Sequence, residues 1–362
     1  MKVAFVSFDF GEYCVRLASA VAQNTNIFLF LPEHEAEPYA HLLSSSVVLR
    51  MFKKPRLRQP LHQMLMVEGI VRGVRQFKPD VIHLQQGHMW FNFALPLLGR
   101  YPLVVTSHDP ITHAGEKTPQ QIFDWGCNRA GQIIVHVPQM KELFIRRLHM
   151  PSGRVHVIPH VLCGDDAAQP RIQDEEHLVL FFGRMSEYKG LEYLIRAEPL
   201  ITDQVPQARI VIAGTGEEFG RYRRMMTNPE RFIVHNEYVS NEKRAELFRR
   251  ASVVVLPYIE ATQSGVIPVA CSFGKPVVAT AVGGLPAQVD DGETGYLVPP
   301  RDERALAEAI VRLLRNRDLR HQLGANGKRK ITSECNPDVV ARDTLAVYQL
   351  AVSSGRSSRS DA

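Results

Sequence analysis

The segment "LFFGRMSEYKGLEYLIRA" (Leu180–Ala197) carries a strand, a loop and the start of a helix, and its order decides the fold. Leu178–Phe182 is an unbroken apolar run of strand length, and Gly190–Ala197 reads as the opening of an amphipathic helix. Gly183 closes the strand, so Arg184 and Lys189 fall on a strand-to-helix loop. In an open α/β sheet such loops lie at the carboxyl edge, where ligands bind, and a helix N-terminus there adds partial positive charge for an anion. Two solvated surface cations are the other reading of an isolated Arg-x4-Lys.

The same alternation extends in both directions. The strand candidates of the first half are "KVAFVSF", "NIFLFLP", "VVLRMF", "DVIHLQ", "PLVVTSH", "QIIVHV" and "VHVIPHV", with helical stretches such as Leu61–Phe77 and Gln139–Leu148 between them. The polar, acidic stretch "CGDDAAQPRIQDEEH" (Cys163–His177) interrupts the pattern and reads as a linker. A second series follows, "HLVLFFG", "ARIVIAG", "RFIVHNEYV", "SVVVLP", "KPVVAT" and "GYLVPP". Alternating strands and helices predict parallel sheets, hence two doubly wound, Rossmann-like α/β domains facing each other across a cleft. We place the first at 1–165 and the second at 175–335, with helices over Glu303–Arg315 and Leu319–Ile331. A last helix then covers 336–352, and 353–362 is a disordered tail.

Composition narrows the function. A chain of 362 residues exceeds one ordinary core of about 100–200 residues. The net charge of +5 tolerates acidic partners but lacks the density of a nucleic-acid binder. Five scattered cysteines without CxxC spacing read as reduced thiols, with neither disulfides nor a metal site. "MKVAFVSFDFGEY" is a first strand rather than a signal peptide, and no apolar run has spanning length. A cytoplasmic protein is expected, reaching a membrane only peripherally.

Several turns can carry chemistry. "VIAGTGEE" puts Gly214 and Gly216 at a strand end, where glycine either relieves a tight turn or admits a ligand to the backbone. In "VVVLPYIEATQSGVIPVACSFGKPVVAT" a strand ends at Pro257 and an apolar helix starts near Gly265. The intervening Thr262, Gln263, Ser264, Gly265 and Val266 would offer backbone N–H groups and small hydroxyls to a phosphate. "VDDGE" reads as a solvated turn.

From "FFGRMSEYKG" through "VIAGTGEE" to "GKPVVATAVGGLPAQVDDGETGYLVPP", the chain resembles the retaining, family-4 glycosyltransferases of GT-B fold. The likeness is specific over Leu178–Arg301 and looser in the first half, where it rests on Gly11, "VVTSHDP" and "VIPHV". It implies that the last helix crosses back to the first domain, and that Arg184 and Lys189 hold the diphosphate of a nucleotide-sugar donor and stabilise it as it leaves. The resemblance also implies that His108 serves the donor sugar from the first domain; a strand-end histidine satisfied by backbone is the plainer reading. GT-B enzymes generally work without a bound metal, so no metal or other cofactor is expected, and UDP- and GDP-linked donors are both compatible.

Two departures stand out. The family's glutamate pair, eight positions apart, falls at Ala261 and Val269, leaving Glu260 as the nearest carboxylate for the sugar and none for the ribose. Near the N-terminus the usual glycine pair is reduced to Gly11. A basic stretch, Arg50, Lys53, Lys54, Arg56 and Arg58, precedes Met64, Leu65 and Met66, with "HMWFNF" farther on. These residues could dock an anionic bilayer and collect a lipid-linked acceptor, or form a solvated loop beside core aromatics. The expected activity is hexosyl transfer to a hydroxyl of a glycan, lipid-linked or small-molecule acceptor. The rivals are a donor-binding protein with little turnover, which the valine at 269 would suit, and a nucleotide-sugar epimerase.

Overall fold

The computed structural model describes residues 1–109, 119–163, 175–216 and 219–360, with side chains to 355. It divides into two compact units, Met1–Val161 with Glu334–Ala362, and Leu162–Ser333. Most of the expected linker, residues 164–174, lies outside the described residues, as do Glu217 and Glu218 of "VIAGTGEE".

The first unit holds a seven-stranded sheet of β1 (Lys2–Val6), β2 (Asn26–Pro32), β3 (Val47–Phe52), β4 (Val81–Gln85), β5 (Leu103–Thr106), β6 (Gln132–Val135) and β7 (Val155–Val157). Its order is β3-β2-β1-β4-β5-β6-β7, every pairing parallel. Helices cover both faces, which is why β4, β5 and β6 are buried along their whole length, with the polar His83, Gln85, Thr106 and Gln132 among their otherwise apolar residues. The chain leaves β1 for β2 on one side and returns to β4 on the other, so the switch point lies at the carboxyl ends of β1 and β4.

The helix Pro337–Ser360 packs on the helix Gly11–Val21 and on β4, β5 and β6 of this unit. Its Tyr348 is fully buried, and the hydroxyl meets His83 Nδ1 at 2.5 Å while His83 Nε2 meets Thr106 Oγ1 at 2.7 Å. The helix does not end near 352, and the tail expected to be disordered is helical through Ser360. Ser353 and Ser354 donate to the carbonyls of Gln349 and Leu350, so these residues satisfy their hydroxyls within the helix. Gly355 lies so close to Pro102 Cγ that a Cβ there would come within 3.0 Å of it.

The second unit is a six-stranded parallel sheet of β8 (Leu178–Phe182), β9 (Arg209–Ala213), β10 (Phe232–His235), β11 (Val253–Leu256), β12 (Val277–Thr280) and β13 (Gly295–Val298). The order β10-β9-β8-β11-β12-β13 puts its switch point between β8 and β11. One continuous core, including Phe181, Leu194, Ile212, Val255 and Leu313, lies under the helices Leu191–Gln204 and Glu303–Arg315. Among the described residues no helix is long and apolar enough to cross a membrane.

Candidate active site

At the end of β8 the chain turns at Gly183 with φ of 114°, a conformation that favours glycine. Lys189 Nζ sits over this turn, and a Cβ on Gly183 would lie 2.7 Å from it. Gly190, with φ of 62°, presses against the end of β11, because a Cβ there would fall 2.0 Å from the carbonyl oxygen of Pro257. That contact draws the loop across the switch point, where Ile259 N–H donates to Tyr188 O at 2.7 Å. Lys189 is half-buried with its ammonium 5.3 Å from the centre of the Tyr258 ring, whereas Arg184 is exposed. Burial lowers the Lys189 pKa from the ordinary lysine value, with Tyr188 opposing the shift and Arg184 adding to it. Lys189 is thus a cation held partly out of water beside a second cation, an arrangement that an incoming anion relieves.

Gly214 and Gly216 have a packing reason for being glycine. A Cβ on Gly214 would sit 2.2 Å from Gly183 O, and one on Gly216 would sit 2.6 Å from Met185 Cβ. The turns after β8 and β9 run side by side, joined by Gly183 N–H to Ala213 O at 2.8 Å and Met185 N–H to Thr215 O at 2.8 Å.

The loop after β11 is clamped from the turn after β12. Ser264 N–H donates to Gln288 Oε1 at 2.8 Å, and Gln288 Nε2 donates back to Ser264 O at 3.0 Å. Val266 N–H donates to Ser264 Oγ at 3.2 Å. Two of the amides expected to cradle a phosphate, those of Ser264 and Val266, are therefore engaged within the protein. Gly283, at φ of 51°, passes so close beneath this loop that any Cβ would collide with Ala261 O. Glu260 is exposed and Val269 is partly buried.

In the first unit Gly11 opens the helix Gly11–Val21, and its N–H donates to the Glu35 carboxylate at 2.7 Å. A Cβ there would fall 2.0 Å from Glu35 O, so the backbone around Glu35 accounts for this glycine without a ligand. His108 follows β5 and is buried, with its Nε2 2.8 Å from Gln85 Oε1 and its Nδ1 3.1 Å from His136 Nε2. The Phe10 ring stacks on it at 3.9 Å and the Tyr13 ring meets it edge-on at 4.8 Å. Burial, with His136, His160 and His83 adding, holds the His108 pKa well below the ordinary imidazole value, so the ring is neutral at neutral pH. The basic stretch is divided: Arg50, Lys53, Arg56 and Arg58 are exposed. Lys54 turns inward instead, donating to Phe8 O and to Asp9 Oδ1, each at 2.7 Å.

Comparison with known proteins places this geometry in a family. Residues 11–162 match the model of Glycosyltransferase Family 4, and residues 176–316 that of Glycosyl transferases group 1. The phosphatidyl-myo-inositol mannosyltransferase of Mycobacterium leprae is 30% identical over 292 residues, spanning 76% of this chain and 75% of that protein. The chain belongs to the group 1, family 4 glycosyltransferases. An uncharacterized glycosyltransferase of Methanocaldococcus jannaschii is 31% identical over 50% of this chain, which spans 47% of the relative's length. Among solved structures, sucrose-phosphate synthase of Thermosynechococcus elongatus matches with a TM-score of 0.73 at 20% identity, covering 97% of this chain and 99% of that one. HepE of Anabaena, solved with UDP and glucose, matches with a TM-score of 0.74 at 18% identity, covering 96% and 99%. At these identities both likenesses support the GT-B fold.

Within this family 4 glycosyltransferase the structure also brings forward residues that sequence reasoning passed over. Gln288 holds Ser264 from 24 residues away, and Gln85 orients His108 from 23 residues away. His136 and His160 join His108, one ring nitrogen of each lying within 4.8 Å of the others. Both histidines sit in quoted strand candidates, but only the parallel pairing of β5, β6 and β7 brings their ends together.

Proposed function

We propose that this protein transfers a hexosyl group from a nucleoside-diphosphate sugar to an acceptor hydroxyl, with retention at the anomeric carbon. The observation that carries the reading is Lys189, held half-buried over the Gly183 turn at the switch point of the second unit, with Arg184 in the same loop. A diphosphate there gains two cations, which together offset the charge on the leaving group without a metal. HepE binds UDP and glucose, and the mannosyltransferase of M. leprae acts on a phosphatidyl-inositol, so nucleotide-linked hexoses and acceptors carrying a lipid are the first to test.

In the proposed step the bond between the anomeric carbon and the donor phosphate oxygen breaks, and the acceptor oxygen bonds to the same face of the sugar. The leaving diphosphate accepts the acceptor's proton. His108, neutral, would bond a sugar hydroxyl, and Glu260 another. The ribose lacks its family carboxylate at Val269, so its hydroxyls take other partners.

For the acceptor, the first unit offers a surface of defined chemistry. Leu61, Met64 and Leu65 of the helix Pro60–Phe77 are 73%, 60% and 66% exposed, beside the exposed cations Arg50, Lys53, Arg56 and Arg58. A cavity of about 340 Å³ lies between them, lined by Phe30, Met51, Phe52 and Met66 among others. Cations around an apolar face suit a peripheral hold on an anionic bilayer at its cytoplasmic side.

The test is a thermal-shift screen of UDP, GDP, ADP and dTDP and their sugars, with EDTA present, followed by product analysis with the stabilising donor. Stabilisation by one nucleotide and transfer or slow hydrolysis of its sugar are expected. Tight donor binding without turnover over any acceptor would favour a binding protein, and epimerised free donor an epimerase.

A further inference from the structure

We propose that His108, His136 and His160 form a binding site for a divalent transition cation of the zinc class. The reason lies in what holds their outer nitrogens. His136 Nδ1 is 3.0 Å from Ile158 O, His160 Nδ1 is 3.0 Å from Val161 O, and His108 Nε2 is 2.8 Å from Gln85 Oε1. Carbonyl and amide oxygens only accept, so each outer nitrogen is the protonated one and each inner nitrogen carries a lone pair. The Gln85 amide is held in this sense by its own Nε2, which donates to His83 Nε2 at 3.0 Å.

Three lone pairs thus converge. His108 Nδ1 and His136 Nε2 are 3.1 Å apart, close to the roughly 3.3 Å between two nitrogens each about 2.0–2.1 Å from one tetrahedral zinc ion. One ring nitrogen of each of the three lies within 4.8 Å of the others, and His160 is half-buried on the segment after β7, so closing the set requires its ring to draw in toward the other two. An imidazole ligand whose second nitrogen donates to a fixed oxygen is the usual way proteins orient a metal-binding histidine. The aromatic wall is present too. Tyr13 packs against all three rings, at 4.8, 5.7 and 4.5 Å, and Phe10 stacks on His108. Three protein ligands leave a fourth position for water or an anion. A cation so held engages His108 Nδ1 while Gln85 keeps Nε2, so neither nitrogen can reach a sugar. If His108 has the role proposed above, the cation stops transfer and does not assist it, but the site itself does not depend on that reading.

The experiment is a Co²⁺ titration of the full chain, stripped with EDTA and desalted, followed by Zn²⁺ displacement, in wild type, His136→Gln, His160→Gln and Gln85→Leu. We expect one cation per chain with the visible bands of a tetrahedral ion, bleached by Zn²⁺. Each histidine variant should weaken binding by at least about 100-fold, and Gln85→Leu by about 10–100-fold, as for a lost outer partner. X-ray absorption on the zinc-loaded wild type should read three imidazoles, and it keeps the test valid if His136→Gln, at a buried position, does not fold. Absence of cobalt bands, affinity unchanged in both His160→Gln and Gln85→Leu, or a zinc environment without three imidazoles would overturn the proposal.

Discussion

Lys189 is the residue on which the proposed donor site turns, because its ammonium lies over the strand end at Gly183. Removing a charge partner of the transition state typically costs about 10²–10³ in turnover. Lys189→Ala and Arg184→Ala should each lose that much while keeping their thermal transition within a few degrees, as steady-state kinetics and calorimetry would read. The pH dependence follows from the direction of the Lys189 shift. Its folded pKa lies below the ordinary 10.5, so between the two values the unfolded chain binds the proton more firmly and stability rises with pH. A bound diphosphate favours the ammonium, so affinity for a nucleoside diphosphate should fall with rising pH across that same window, earlier than an exposed lysine would allow. Lys189→Ala should bind more weakly and without that fall; a wild-type profile in the variant would remove Lys189 from the site.

Among the elements, the loop between β11 and the helix Val266–Ser272 shows how the proposed donor site depends on residues far away in the chain. Gln288 makes two hydrogen bonds to the Ser264 backbone, and Gln288→Ala leaves the partly buried groups of that pair unsatisfied, at about 1–3 kcal/mol. Urea unfolding should register that loss, and the donor KM should rise while kcat changes less. An unchanged KM would mean that the loop does not touch the donor. The strands were legible because β4, β5 and β6 are covered on both faces, which leaves short, mostly apolar runs in the sequence. The glycine turns were legible as places but not as causes, since Gly11 is required by Glu35 and Gly214 by Gly183. The spent amides of Ser264 and Val266, the inward turn of Lys54 and the meeting of three histidines were not legible, because each depends on which strand ends lie side by side. The tail misled for a local reason: serine and glycine suggest disorder, but Ser353 and Ser354 bond within the helix and Gly355 packs close to Pro102.

At the scale of the whole molecule, the first unit is completed by the C-terminal end of the chain. Val340, Val347, Tyr348 and Ala351 are all buried in it, and burial of such an apolar side chain is worth about 1.5–3 kcal/mol for the larger ones. A chain ending at Glu334 should therefore lose the thermal transition of the first unit and keep that of the second; two intact transitions would mean that the helix is an accessory. Tyr348→Phe should cost a smaller part of the same stability, by leaving His83 Nδ1 without its buried partner. The central claim is that the second unit holds a donor diphosphate through Arg184 and Lys189 with no metal. Calorimetric titration of UDP, GDP, UMP and GMP into wild type and Lys189→Ala, in EDTA, tests it most directly. One diphosphate should bind wild type well above its monophosphate, and the preference should vanish in Lys189→Ala. Equal binding of mono- and diphosphate, or a preference that survives the substitution, would contradict it.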